Sequence, residues 1–295
     1  MPDPEMIALR AQIAARTRAT ELPQMRADYD ARGLGFGLPS DVTVTPVSAN
    51  GVKAEWTATP GADATKAILF LHGGGYVIGS LDSHRHMVAE CGRQAGMRTL
   101  AIDYRMAPEH PFPAAVEDTV AAYRFLLESG IAAKNIAIAG DSAGGGLVVG
   151  GMLAIRAAGL PLPACAWCIS PWVDMQALGQ SFTDRAETDP TVQAATIKFM
   201  AETYLAGADP KSPTAAPIYG DLRGLPPMMI QVGACETLLD DSLALARAAG
   251  IADVPVDLQI WPEMIHVWHT YHTVLSAGKR AIAAGGAFVK SKLGE

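Results

Sequence analysis

The stretch "GDSAGG", residues 140–145, sets a serine between glycines two places before and two places after it. Gly140, Ser142 and Gly144 fit Gly-x-Ser-x-Gly, and the motif follows the apolar run "NIAIA" and opens a helical stretch. A strand-to-helix turn this tight leaves no room for flanking side chains and holds the serine hydroxyl out as a nucleophile. The helix N-terminus behind it favours negative charge developing nearby. Two plainer readings compete, a glycine-rich turn with a capping serine and a phosphate-binding loop. The latter needs Gly-x-Gly-x-x-Gly or a Gly-Lys-Ser/Thr ending, and "GDSAGGG" has neither.

A serine nucleophile needs a base, an acid to orient it, and donors for the oxyanion. In nucleophile-elbow enzymes the order along the chain is Ser, acid, His. After Ser142 the histidines are His266, His269 and His272, all within "WPEMIHVWHTYH". His266 is nearest the end of the apolar run "VDLQI" and is the expected base. His269 and His272 lie further on, toward the final helix, where a surface histidine is the ordinary case. The acid is expected just past "MMIQV", in "GACETLLDDS". Glu236 falls in the loop and is the expected acid. Asp240, the alternative, and Asp241 fall a turn into the next helix, where acids suit the dipole in any case. The acid holds the imidazole in the right tautomer and raises its pKa. "HGGG", His72–Gly75, follows the apolar run "AILFL". Its bare backbone lets amides approach a substrate oxygen, so Gly74 and Gly75, with Ala143 after the nucleophile, are the expected oxyanion donors. His72 is expected to brace the loop.

These residues need a scaffold. Short apolar runs recur at 67–71, 99–102, 135–139, 164–170, 228–232 and 256–260, mostly separated by helical stretches such as 114–129, with Val116, Val120, Tyr123 and Leu127 at helical spacing. This alternation predicts an α/β protein with a largely parallel sheet covered on both faces. "VTVTPVS" and "VKAEWTAT" alternate like half-exposed strands. Residues 4–31 read as one or two helices broken near 22–24, and 32–40 as a flexible linker. Residues 175–212 carry helical stretches without a strand, and the helix near 191–205 is expected to expose Phe199, Met200, Tyr204 and Leu205. They read as an insertion over the C-terminal edge of the sheet.

The chain has 295 residues, enough for one large domain or one with an addition. With 23 Lys plus Arg against 30 Asp plus Glu, the formal charge is -7, which argues against nucleic acid or an anionic membrane as partner. The N-terminus lacks the apolar block of a signal peptide, and no stretch reaches the length of a membrane span. A cytoplasmic location without stable membrane insertion is the expectation. Of the four cysteines, Cys165 and Cys168 have Cys-x-x-Cys spacing. They lie in an apparent buried strand, where residues three apart face opposite ways, so structural cysteines are expected rather than a redox pair.

"HGGGY" (72–76), "YRMAPEHPFPAA" (104–115), "GDSAGG" (140–145) and "MIHVWH" (264–269) occur in that order. Together they resemble the bacterial hormone-sensitive-lipase-like esterases, in the subgroup with the wording "GDSAG". The resemblance spans about 68–269. It implies an α/β-hydrolase fold, a mostly parallel twisted eight-stranded sheet flanked by helices, with a helical cap. On that basis 1–40 and 175–212 form the cap, and 41–174 with 213–295 the catalytic domain. It implies a serine carboxylesterase acting on short-to-medium acyl esters through Ser142, His266 and Glu236, with no cofactor or metal, often as a homodimer. Where the family usually reads Asp-Pro-Leu, this chain reads Glu236-Thr237-Leu238. Asp240 matches a second family acid outside the triad. The resemblance makes Asp103, Tyr104, Arg105 and Glu109 supports beneath the site and Asp141 a local hydrogen-bonding residue. The rival chemistry is hydrolysis of a small amide or formamide by the same triad. A ligand-binding receptor on a dead hydrolase fold is a more distant alternative, and would be expected to lack its base.

Overall fold

The computed structural model describes residues 3–293; Met1, Pro2, Gly294 and Glu295, at the outer ends of the expected cap and catalytic segments, lie outside them. The strands are β1 (Thr43–Ala49), β2 (Val52–Ala58), β3 (Asp63–Leu71), β4 (Met97–Ile102), β5 (Ile136–Asp141), β6 (Cys165–Ile169), β7 (Met228–Gly233) and β8 (Val256–Trp261). They form one sheet in the order β1-β2-β4-β3-β5-β6-β7-β8. β2 runs antiparallel to both β1 and β4, and the remaining neighbours are parallel. Every run expected as a strand is one.

The helices are α1 (Pro4–Ala14), α2 (Leu22–Gly35), α3 (Leu81–Ala95), α4 (Ala114–Glu128), α5 (Ala143–Ala157), α6 (Ser181–Asp184), α7 (Ala194–Leu205), α8 (Leu239–Ile251) and α9 (Ser276–Lys292). Central strands carry near-continuous apolar runs because both of their faces are covered. Leu69, Leu71 and Ile138 pack against α4, α5 and α8 through residues such as Val116, Val148, Met152 and Leu245. Ile68, Phe70 and Trp167 pack on the other face against Met87 and Val88 of α3 and Ile282 and Val289 of α9. Each such side chain, fully buried, contributes about 1.5–3 kcal/mol. Cys165 belongs to the second layer and Cys168 to the first, on opposite faces of β6 as expected. Burial pushes both thiols up to about 12, so neither is a ready thiolate.

Two expectations about the outer elements need correction. α2 starts at Leu22 and runs through Gly35, so "LPQ" opens a helix instead of breaking one and the linker is shorter than 32–40. The reason is packing. A Cβ on Gly33 would stand 2.3 Å from the Ser83 carbonyl oxygen, so glycine lets α2 lie against α3 despite its poor helix propensity. In α7 only Phe199 of the four apolar residues is exposed, at 49%. Met200, Tyr204 and Leu205 are buried because α7 lies on the "HGGGY" loop. The Tyr204 ring stacks on Tyr76 with centroids 3.8 Å apart. A Cβ on Gly75 would stand 2.0 Å from the Met200 sulfur. α1 packs Met6, Leu9 and Ile13 onto Met264, Ile265, Trp268 and Tyr271. Arg10 and Arg18 reach the carbonyls of Thr188 and Pro190, tying the N-terminal region to the 175–212 segment. Among the described residues, no helix is long and apolar enough to cross a membrane.

Candidate active site

The residues expected to do chemistry come from the C-terminal ends of β3, β5, β7 and β8, the end where open parallel sheets gather their ligands. Ser142 follows β5 directly and precedes α5. Its backbone sits at φ 55°, ψ -121°, a conformation that costs a residue with a Cβ about 1–3 kcal/mol. Three bonds hold it there: Ser142 N–H donates to Ile169 O (2.8 Å), and its own carbonyl accepts from Gly146 N–H (3.1 Å) and Trp172 N–H (2.9 Å). Both motif glycines are sterically required. A Cβ at Gly144 would stand 2.0 Å from Leu71 O, and one at Gly140 would stand 2.6 Å from Gly144 O. The turn can therefore press against the end of β3, beside the glycine loop. The Ser142 hydroxyl makes no hydrogen bond among the described residues, His266 included, and its residue is 9% exposed.

His266 lies in the loop after β8 and Glu236 in the loop after β7. His266 Nδ1–H donates to Glu236 Oε2 at 2.8 Å, which leaves Nε2 to accept a proton. Burial alone would lower the His266 pKa. The hydrogen bond and charge of Glu236, with smaller help from the Asp189 and Asp141 carboxylates, override burial and raise it. Burial pushes the Glu236 carboxyl up, while bonds from His266 and Ser170 favour its anion. Asp240 is not brought to His266. Its carboxylate accepts from Ser181 N–H at 2.9 Å, and Asp241 accepts from Val173 and Asp174 N–H. Asp240 and Asp241 thus pin the 172–181 segment to the start of α8.

The glycine loop divides its amides. Gly73 N–H donates to Asp141 Oδ1 at 3.1 Å, whereas the amides of Gly74, Gly75 and Ala143 meet no protein acceptor among the described residues. Gly74 and Gly75 have φ of 116° and 63°, which glycine adopts freely. A Cβ on Gly74 would stand 2.1 Å from Ile78 O. Gly74→Ala is therefore expected to distort the loop and cost about a hundredfold or more in kcat, with a lower Tm. Steady-state kinetics and thermal melting check both, and wild-type kcat would remove Gly74 from the donor set. His72 is buried, donates from Nδ1 to Gly73 O (2.8 Å) and stacks on Tyr104, the bracing role expected of it. Tyr104 O–H donates to His72 O at 2.8 Å and does lie under the loop. Asp103 pairs with Lys53, Arg105 with Glu117 and the buried Asp118, and Glu109 with Arg26, whose guanidinium also donates to the carbonyls of Val77 and Ala107.

Several residues at the site carry no sequence signal of their own. Ser170 O–H donates to Glu236 Oε1 at 2.7 Å. The buried Asp189, from the 175–212 segment, accepts from Thr237 N–H at 2.9 Å, next to Glu236. His84 Nε2 lies 3.3 Å from Asp141 Oδ2. His269, expected at the surface, is fully buried and donates from Nε2 to Gln231 Oε1 at 2.9 Å. Gln231 also accepts from Trp167 Nε1–H, so the turn after His266 is anchored inside the sheet. A cavity of about 240 Å³ lies elsewhere, lined by Phe36, Leu38, His86 and His272, and holds none of the expected site residues. Among the described residues no group of three or more His, Cys, Asp or Glu is placed to hold a metal.

Sheet order, elbow and hydrogen-bonded His–Glu pair together define an α/β hydrolase. A family model described as the alpha/beta hydrolase fold matches residues 68–270. An acetyl-hydrolase of Streptomyces hygroscopicus is 47% identical over 298 residues, covering 100% of this chain and 98% of the relative. An esterase of Acinetobacter venetianus is 31% identical, covering 85% and 82%. The crystal structure of an esterase from the bacterial hormone-sensitive lipase family superposes with a TM-score of 0.97 at 47% identity, covering 100% of both chains. The chain belongs to this family of α/β-hydrolase esterases, hydrolases of carboxylic ester bonds.

Proposed function

We propose that the chain is a serine carboxylesterase for short-to-medium acyl esters, with Ser142 as nucleophile, His266 as base and Glu236 as its orienting acid. The observation that carries this reading is the buried 2.8 Å bond from His266 Nδ1 to Glu236, which points the other ring nitrogen away from the acid. His266 Nε2 takes the proton of Ser142 as Oγ bonds to the ester carbonyl carbon. The amides of Gly74, Gly75 and Ala143 stabilise the oxyanion. The imidazolium returns its proton to the departing alkoxide, leaving an acyl-enzyme, and water activated by His266 releases the acid and restores Ser142. α1, α2 and 175–212 serve as the cap over this centre, and Met200 against Gly75 supports a close limit around the acyl group. The acetyl-hydrolase name of one relative and the p-nitrophenyl butyrate soaked into EstE5, 46% identical with a TM-score of 0.95 and 99% of both chains covered, favour short acyl groups.

A fluorophosphonate probe tests the nucleophile directly: one adduct forms on the wild type and none on Ser142→Ala. The base gives a signed pH dependence. Only neutral His266 accepts the serine proton, so kcat/KM rises with pH, and Glu236 places that rise above the ordinary histidine value of 6.5. A kcat/KM profile flat from about pH 5 to about pH 9, with chemistry limiting, contradicts a histidine base.

A further inference from the structure

We infer that Ser170 is a positioning residue of this site, one hydroxyl that fixes both the Glu236 carboxylate and the loop carrying His266. The inference rests on the triad reading above. Ser170 directly follows β6, fully buried, one strand away from the nucleophile. Its O–H donates to Glu236 Oε1 at 2.7 Å, and the same oxygen accepts from Val267 N–H at 3.2 Å. Val267 is the residue next to His266. Gly233 N–H donates to Glu236 Oε1 as well, at 2.6 Å. Oε1 is thereby occupied by two donors, and Oε2 faces the imidazole. The carboxylate cannot turn about its last bond without breaking both contacts.

The backbone around this contact is committed to it. Ser170 has φ 45° and Val267 φ 50°, both in the left-handed region that residues with a Cβ rarely occupy. Ser170 N–H is used by Gln231 O at 2.7 Å, and Pro171 follows with a fixed φ and no donor. A glycine would meet the backbone demand at 170 with less strain. What serine adds is the hydroxyl, and the hydroxyl meets a buried carboxylate, where a charge-assisted bond is stronger than a neutral one. The groups facing the Glu236–His266 pair are Asp189 from the 175–212 segment, Asp141 from β5 and His269 from the turn beyond His266. Asp189 and Asp141 add negative charge around the pair, which a donor to Glu236 helps to offset.

Removing the hydroxyl has a defined sign. The unprotonated pair carries one negative charge and the singly protonated pair none. Loss of a donor to the carboxylate destabilises the first relative to the second, so the apparent pKa of the pair rises. The experiment compares Ser170→Gly and Ser170→Ala with wild type, measuring kcat and KM for a short-chain p-nitrophenyl ester across pH, with fluorophosphonate labelling of Ser142. Glycine relaxes the backbone and alanine keeps the strain, so the pair separates folding from chemistry. The expected result in both is a kcat lower by about 10- to 100-fold, KM within about threefold, and the acid limb of kcat/KM higher by about half to one pH unit. Wild-type kcat in Ser170→Gly overturns the inference. A lower kcat with the acid limb unmoved also overturns it, because that is what a purely structural residue gives. Labelled Ser142 with an unmoved limb removes Ser170 alone, whereas a wild type that resists labelling removes the triad reading and this inference with it.

Discussion

Ser142→Ala is expected to lower ester hydrolysis by about a millionfold, equivalent to ~8 kcal/mol of lost transition-state stabilisation. The size follows from what the variant removes and what it keeps. Without Oγ there is no acyl-enzyme, and His266 has no hydroxyl proton to take. The backbone at 142 is held by Ile169 O, Gly146 N–H and Trp172 N–H, none of which involves the side chain. The turn, the donor amides and the substrate contacts therefore persist, so Tm and KM stay near wild type. Residual hydrolysis remains above the uncatalysed rate, because aligned amides still stabilise an oxyanion formed by direct attack of water. Kinetics with a p-nitrophenyl ester decide the matter: activity within tenfold of wild type assigns the chemistry to another residue.

The second large effect separates the two candidate acids. Glu236→Gln is expected to lower kcat by about ten-thousandfold, since an amide cannot both hold Nδ1–H and stabilise the imidazolium. The same variant moves the acid limb of kcat/KM downward, because the carboxylate that raises the His266 pKa is gone and burial then lowers it. Asp240→Asn touches neither His266 nor the oxyanion loop. It weakens the bond to Ser181 N–H, so kcat stays within about threefold and the loss is at most a few degrees of Tm. If Asp240→Asn suffers the larger loss in kcat, the acid has been misassigned.

The parts of the site legible in the sequence were those that a local rule constrains. Ser142 announces itself through Gly140 and Gly144, which the close approach of Leu71 O requires. His266 and Glu236 follow from order and from their places just beyond apolar strands. The strands themselves were legible because a sheet buried on both faces leaves apolar runs. What escaped depends on contacts between distant segments. Ser170 and Glu236 are 66 residues apart, and Gln231 and His269 are 38 apart. A serine at a strand end or a glutamine within one looks like any other until the partner arrives. His269 looked like a surface histidine because the spacing of "HVWH" does not reveal that a buried amide oxygen awaits its ring. Gly33 read as part of a linker because propensity ignores the approach of α2 to α3, where its lack of a Cβ is an advantage.

The glycine loop, Ser142, Ser170, Glu236 and His266 each hang from one of five adjacent parallel strands, β3, β5, β6, β7 and β8. Every group assigned to the proposed chemistry thus hangs from one sheet, while the helices of the first 40 residues and of 175–212 pack onto it, with the buried Asp189 reaching in to Thr237. On the proposed reading, an exposed residue such as Phe199 can vary without touching the proton relay, whereas Met200 abuts Gly75 and Asp189 bonds Thr237 beside Glu236, so substrate range and turnover chemistry are linked where 175–212 meets the sheet.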